Sequence, residues 1–388
     1  MKKKSILMNI VFDTNVFFQD WFLNKPDMIL LEKFINLGSS KLVIPEVVII
    51  ETLNKYGEKF TELIQKINRL NGLLSPSKQL FHSLNKEEIL QDYKSALTLR
   101  LKILRAERLG FSFISHKNVI ARNLARKRPF QKNTGYRDTL IWETILSNIT
   151  NEKIKTYFIT GNHNDFCEKN GKILHNDLQE DLERKGLSPD SVILYHNLAE
   201  FVDNQVKPVL TSIEEAKREL IKGAYKGFDI YEWFRKNRES IGSSIQQFME
   251  LMINELRGLE DLSVNYVEDS TEIKINEVYE LGIDQIYIDA FAMTEVVFDV
   301  FVFKGDYGWV SGKYNLDVLD YDWNDHYIFA QLITKLPINF AINFNIGNGT
   351  VDNFEVKIEE IFGFCPNCSE PILSDAVEAC GECGKSFF

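Results

Sequence analysis

Over the first half of the chain, short runs of apolar, β-branched residues alternate with longer stretches of helical periodicity. The runs Ile6 to Phe12, Lys41 to Ile44, Lys155 to Ile159 and Ser191 to Tyr195 read as strands buried on both faces of a parallel sheet, and the segments between them predict helices. The pattern predicts an α/β domain over residues 1–207, enlarged by a helical insertion from about Thr52 to Pro129 whose apolar positions include Leu97, Leu101 and Leu104. Residues 208–257 read as amphipathic helix, with Ile245, Phe248, Leu251, Met252 and Leu256 on one face, and are expected to connect two domains. After Leu259 the period becomes two. Glu272 to Asn276 alternates, Glu295 to Phe303 is strand-like, and Ile338 to Ile346 and Val351 to Ile358 flank Gly347-Asn348-Gly349 as a hairpin. An antiparallel β domain is therefore expected over 258–361, with a small cysteine-bearing module at 362–388.

The length of 388 residues leaves room for two or three ordinary cores. The net charge of −11 argues against a general nucleic-acid binder until it is divided along the chain. Residues 1–207 hold 31 basic and 24 acidic side chains, whereas 208–388 hold 14 and 32. Only the first half has the charge to meet a polyanion. The apolar stretch after Lys2, Lys3 and Lys4 is broken by Asn9, Asp13 and Asn15 and lacks a small-residue cleavage site, so it reads as a core strand and not a signal peptide. No run approaches the ~20 apolar residues of a spanning helix.

Four of the five cysteines form Cys365-Pro-Asn-Cys368 and Cys380-Gly-Glu-Cys383. Two Cys-x2-Cys turns aim four thiolates at one tetrahedral ion, which predicts a zinc ribbon and a cytoplasmic, metal-binding use of cysteine. Four thiolates leave no open position, so the expected role is structural. Cys167 is expected to be a buried small hydrophobe.

Four acidic positions fall where an α/β sheet presents its active edge. Asp13 follows the first strand, Glu51 lies in the helix after the second, Asp138 opens the helix running to Leu146, and Asp165 follows the strand ending near Thr160. Carboxylates gathered near one point repel unless a hard cation neutralises them, and an oxygen set suits Mg²⁺ or Mn²⁺. The implied chemistry is metal-assisted phosphodiester hydrolysis. An Asp-x-Asp phosphotransferase motif is absent, because Asn15 stands at its second acid.

These segments resemble the PIN-domain nucleases. The resemblance rests on Asp13-Thr14-Asn15, on Glu51 one helix later, on Gly135-Tyr-Arg-Asp138 leading into Ile141-Trp142-Glu143, and on Thr160-Gly-Asn162-His-Asn-Asp165-Phe, in that order. With Arg128-Pro-Phe130 ahead of the central block, the chain is most similar to the larger bacterial members, over about residues 6–205. The resemblance implies a PIN-like α/β fold and assigns Asp13, Glu51 and Asp138 as ligands of a catalytic Mg²⁺ or Mn²⁺. Many members carry an acid where this chain has Asn162; either Asp165 takes that place or Asn162 acts through water, and one metal is expected. Thr14, Asn15 and Thr160 are expected to support the acids from behind. His163 reads as an ordinary loop histidine.

Between Lys94 and Arg137 there are 12 Lys or Arg and one acid, Glu107. Such a stretch reads as a phosphate track, with Arg122, Arg126, Lys127, Arg128, Lys132 and Arg137 as its contacts. Phe111, Phe113, Phe130 and Tyr136 either stack unpaired bases or pack the core. The resemblance favours endonucleolytic cleavage of single-stranded RNA; the alternatives are a DNA nuclease acting on flaps or single strands, and a non-catalytic nucleic-acid-binding adaptor. Dimers are common among the proteins the chain resembles, and the apolar face around Ile245 to Leu256 offers a surface for a homodimer, which leaves the oligomeric state open. The region from Gly258 to His326, with 16 acids and three bases, is expected to face solvent, a basic protein partner, or the basic track of its own chain.

Overall fold

The computed structural model describes residues 8–36, 40–71, 85–130, 134–149, 154–168, 173–210, 212–252, 256, 258–270, 272–282, 284–358, 361, 363–365, 367–368, 371–372, 380 and 383–384. The chain divides into two compact units, Met1–Leu210 and Thr211–Phe388.

In the first unit five strands form a parallel sheet in the order β3-β2-β1-β4-β5: β1 Met8–Phe12, β2 Ser40–Pro45, β3 Glu107–Leu109, β4 Lys155–Ile159 and β5 Val192–Tyr195. β1 is central because Met8, Ile10, Val11 and Phe12 are all buried, so both of its faces need cover. Its Ile10 pairs with Leu42 on one side and Tyr157 on the other. The edge strand β3 escapes periodicity analysis, being three residues long with Glu107 and Arg108 in it.

The helices of this unit are α1 Thr14–Gln19, α2 Pro26–Asn36, α3 Glu46–Asn71, α4 Lys86–Ile103, α5 His116–Leu124, α6 Tyr136–Asn148, α7 His163–Phe166, α8 Asn176–Arg184 and α9 Leu198–Phe201. The insertion is fastened by the face read from sequence, since Leu97, Leu101 and Leu104 are buried. Beside them Tyr93 stacks on Tyr56 of α3 with ring centroids 3.7 Å apart and donates its hydroxyl to the Trp21 carbonyl. The strand order places a topological switch between β1 and β4. The connections leaving their carboxyl ends run to opposite sides of the sheet and leave a crevice there.

The second unit holds the short hairpin β6 Ala224–Tyr225 and β7 Phe228–Asp229, helices α10 Glu214–Ile221, α11 Ile230–Lys236 and α12 Arg238–Met252, and a six-stranded antiparallel sheet. That sheet is made of β8 Glu260–Val267, β9 Ile273–Gly282, β10 Gln285–Phe303, β11 Leu316–Asp320, β12 Tyr327–Asn345 and β13 Thr350–Ile358, with α13 Tyr307–Lys313 between β10 and β11. Two 19-residue strands, β10 and β12, pair without a register break from Gln285↔Asn345 to Phe303↔Tyr327. β8 and β9 share the far edge of β10, and β11 and β13 share that of β12.

Alternate residues of the two long strands, among them Ile288, Phe298, Ile338 and Phe340, enter one core with Ala216, Trp233, Phe234, Ile241, Ile245 and Met249 of the helices. Residues 208–257, expected as a connector, therefore contribute their helices to that core. The apolar face containing Ile245 and Phe248 is covered within the chain and is not left for a dimer; the side chains of Leu251 and Met252 lie outside the described ones. Ile361 and Phe364 join the same core, so the segment around β14 Gly363–Phe364 and β15 Pro371–Ile372 is anchored on the sheet.

Candidate functional site

Asp13 is the first residue past β1. Its backbone N–H donates to the Ile159 carbonyl at 3.0 Å, which extends the β1–β4 pairing by one residue and brings Thr160 alongside it. Thr160 Oγ1 donates to Asp13 Oδ2 at 2.6 Å, and the Thr14 N–H donates to Oδ1 at 2.6 Å, the N-cap bond of α1. Asp13 is thus buried and immobilised by two donors. The Thr14 hydroxyl donates in turn to Glu51 Oε2 at 2.9 Å, joining α1 to the second turn of α3.

Asp138 lies in the first turn of α6, three residues after Gly135, whose φ of +111° starts that helix. Asn162, in the connection after β4, donates through one amide nitrogen to Asp138 Oδ1 at 3.1 Å and to Asp165 Oδ2 at 2.6 Å. Asn162 stands between the two acids where a further acid would repel both, and Asp165 brings its carboxylate to the same place. Asn15 is packed by close approach, since a Cβ on Gly161 would fall 2.3 Å from Asn15 Nδ2. Thr14, Thr160 and Asn162 therefore sit against the acids, while the contact shown for Asn15 is with Gly161. The side chain of His163 lies outside the described ones.

Burial pushes the Asp13 carboxyl above its ordinary value, against the pull of the Thr160 and Thr14 donors, and the nearby Glu51 charge adds to the rise. Burial likewise pushes Asp138 up to about 6, with the charges of Asp13 and Asp165 adding to it and the Asn162 amide opposing it. Each of these two groups resists ionisation because burial strips its charge of water and neighbouring carboxylates repel it. The carboxylates of Asp13, Glu51, Asp138 and Asp165 do not close within 4.8 Å of one another in threes, being separated by the hydroxyls and the amide that join them. By donor chemistry the all-oxygen set suits a hard divalent cation such as Mg²⁺ or Mn²⁺.

The basic residues part company. Arg122 is a structural residue and not a phosphate contact. Its side chain is 8% exposed, pairs with Asp181 at 2.6 Å and Glu143 at 3.7 Å, and its Nε donates to the Arg128 carbonyl at 2.6 Å. Trp142 Nε1 donates to the same Asp181 carboxylate at 2.9 Å. The Trp-Glu of the central block therefore serves this buried ion-pair network. Lys127 is half-exposed and engaged with Glu180 at 2.8 Å, and Arg126 is exposed, with φ at +52°. Arg128 and Arg137 reach the acids themselves, Arg128 at 3.6 Å from Asp165 and Arg137 in direct contact with Glu51. Their pairing with the acids was not legible in the motif spacing. Lys132 lies outside the described residues. Of the aromatic residues, Phe130 is core, Phe111 is half-buried, and Phe113 and Tyr136 are exposed.

The sulfurs of Cys365, Cys368, Cys380 and Cys383 all lie within 4.8 Å of one another, with 3.6 Å between Cys365 and Cys383 and between Cys368 and Cys380. A tetrahedral ion with ligands at about 2.3 Å has edges of roughly 3.8 Å, so the quartet fits zinc. The Asn367 N–H points at Cys365 Sγ from 3.5 Å, as in a turn built to hold a thiolate. Cys167 is buried, and burial pushes its thiol up to about 11, which leaves it a thiol at neutral pH.

The family model described as PIN domain matches residues 10–166, a span that begins within β1 and contains all four acids. PIN domains are generally metal-dependent nucleases. No curated protein and no solved structure matches the chain. Among the described residues, no helix is long and apolar enough to cross a membrane.

Proposed function

We propose that the first unit is a metal-dependent endoribonuclease that cuts single-stranded RNA, with Asp13, Glu51, Asp138 and Asp165 as its Mg²⁺ or Mn²⁺ ligands. The observation that carries this reading is the hydrogen-bonded linkage of four carboxylates from four separate segments at the carboxyl ends of β1 and β4, through Thr14, Thr160 and Asn162. A bound divalent cation supplies an activated water and neutralises charge on the phosphate and the leaving oxygen. Thr160 and Thr14 fix the orientation of Asp13, and the Asn162 amide holds Asp138 and Asp165 in place.

Arg126, Arg128 and Arg137 supply cationic groups on the approach to the acids, and Tyr136 and Phe113 are exposed aromatic faces that suit unpaired bases. The second unit takes no part in the chemistry. Its acidic sheet suits a basic protein partner, its cysteine quartet holds one structural zinc, and the protein works in the cytoplasm, where such thiols stay reduced.

Labelled single-stranded RNA and DNA of the same sequence, incubated with the full chain and Mn²⁺, Mg²⁺ or EDTA, test the reading. Internal cuts in RNA that need the metal and vanish in Asp13→Asn are expected. Preferential cutting of DNA would make the protein a DNA nuclease, and binding without cleavage under every condition would make it an adaptor.

A further inference from the structure

Two arginines stand against the acidic cluster and are held in different ways. The Arg128 side chain meets Asp165 Oδ1 at 3.6 Å and also donates to the Asn164 carbonyl. Its backbone is pinned at both ends, the N–H by Asp177 at 2.8 Å and the carbonyl by Arg122 at 2.6 Å. Arg128 is an anchored group. Arg137 is 59% exposed, and its recorded partner is Glu51 Oε1. The other oxygen of Glu51 already accepts the Thr14 hydroxyl. A metal ion drawing on Glu51 therefore competes with Arg137 for the same carboxylate.

The cost of displacing Arg137 is modest, because its guanidinium lies mostly in water although the Glu51 side chain is only 15% exposed. What is released is a planar fork of donors suited to a phosphate, one residue from Asp138 and about 100° round the helix from it. Resting on the assignment of Glu51 as a metal ligand, we propose that Arg137 occupies Glu51 as a stand-in cation until a divalent metal arrives, and then turns to the phosphate of the bound nucleic acid. Glu51 is the switch point. Metal loading and phosphate binding are thereby coupled, and by linkage each strengthens the other by the same factor.

This coupling predicts opposite signs for two affinities of one variant. Mn²⁺ binding is measured by calorimetry on the zinc-loaded full chain without RNA, and binding of a fluorescein-labelled 20-residue oligouridine by anisotropy with Ca²⁺ or EDTA present. Arg137→Ala is expected to bind Mn²⁺ about two- to fivefold more tightly than wild type, the worth of a pair whose guanidinium is mostly in water. The same variant is expected to bind the RNA more weakly in Ca²⁺ and to lose the gain in RNA affinity that Ca²⁺ confers on wild type. Arg137→Gln, which keeps a polar but uncharged and shorter side chain, should behave as Arg137→Ala does. Arg137→Lys should restore the competition for Glu51 while recovering RNA binding only in part.

Unchanged or weaker Mn²⁺ binding in both Arg137→Ala and Arg137→Gln overturns the proposal, as does RNA affinity in Ca²⁺ equal to wild type. Failure of the underlying site assignment looks different. There, wild type and Asp13→Asn bind Mn²⁺ alike or not at all.

Discussion

Gly135 closes onto Pro129: a Cβ at position 135 would lie 2.5 Å from the Pro129 carbonyl oxygen and 2.8 Å from the Phe130 Cα. The Arg-Pro-Phe and Gly-Tyr-Arg-Asp segments are thus two sides of one backbone contact. It sets where α6 begins, and so where Asp138 stands.

Gly135→Ala should therefore lose both stability and activity. The φ of +111° is unfavourable for any side chain, and here the obstacle is backbone, which has no rotamer to give way. A cost of roughly 2–4 kcal/mol is expected, a fall in melting temperature of about 5–15 °C for a unit of this size. Thermal unfolding of the full chain measures it; an unchanged first transition would mean the loop relaxes freely.

The raised carboxyls of Asp138 and Asp13 make the metal-free protein sensitive to pH. Both fold with their proton-binding strengthened; the contribution of Asp138 is most favourable below about pH 4 and is lost as pH rises through about 6, and that of Asp13 changes in the same direction. For Asp138 alone the loss is on the order of 3 kcal/mol. In EDTA, Asp138→Asn should match or exceed the wild-type melting temperature at pH 7.5, with the advantage shrinking at pH 5, while abolishing cleavage. Mn²⁺ should raise the wild-type melting temperature more at pH 7.5 than at pH 5. A destabilised Asp138→Asn at pH 7.5 would show that the carboxylate is held by donors that its amide cannot satisfy.

Much of this site was readable because its acids follow strands or open helices, where periodicity changes and a carboxylate stands out. Four of the five parallel strands were visible as apolar runs; β3 was not, because an edge strand of three residues with two charges carries no period. The long reach of β10 and β12 was read only in part, since their solvent-side Asp289, Glu295 and Lys335 dilute the apolar signal that strand pairing sustains. Arg122 was misread for a different reason. A cluster of like charges in sequence says nothing of partners brought in from elsewhere, and Asp181 arrives from a helix 59 residues later.

Loss of the cysteine quartet should be felt in the second unit and not in the first. Phe364 is next to Cys365 and lies in the core with Ile361, so an ion held by the quartet would also keep these side chains seated. Cys380→Ser, or a strong chelator, should remove one zinc per chain by metal analysis and lower the unfolding transition of the second unit. RNA cleavage with added Mn²⁺ should persist at near wild-type rate. A collapse of cleavage, after Mn²⁺ is restored, would give the zinc a part in catalysis.

Arg122 and Arg126, four residues apart, should respond to alanine in opposite ways. Arg122→Ala leaves the buried Asp181 carboxylate without its guanidinium, though Trp142 and Arg184 still donate to it. Removing one partner of a buried pair costs about 3–5 kcal/mol, so its melting temperature should fall by roughly 10 °C. Arg126→Ala removes an exposed group and keeps the same left-handed backbone cost, so stability should hold. Its RNA affinity should weaken for any sequence, and the slope of log affinity against log salt should flatten by about 0.7 for a lost single-strand phosphate contact. Anisotropy titrations in Ca²⁺ between about 50 and 200 mM salt separate the two. If Arg126→Ala leaves the slope unchanged while Arg128→Ala flattens it, the phosphate path runs past the acids through Arg128 and not along the outer end of α5.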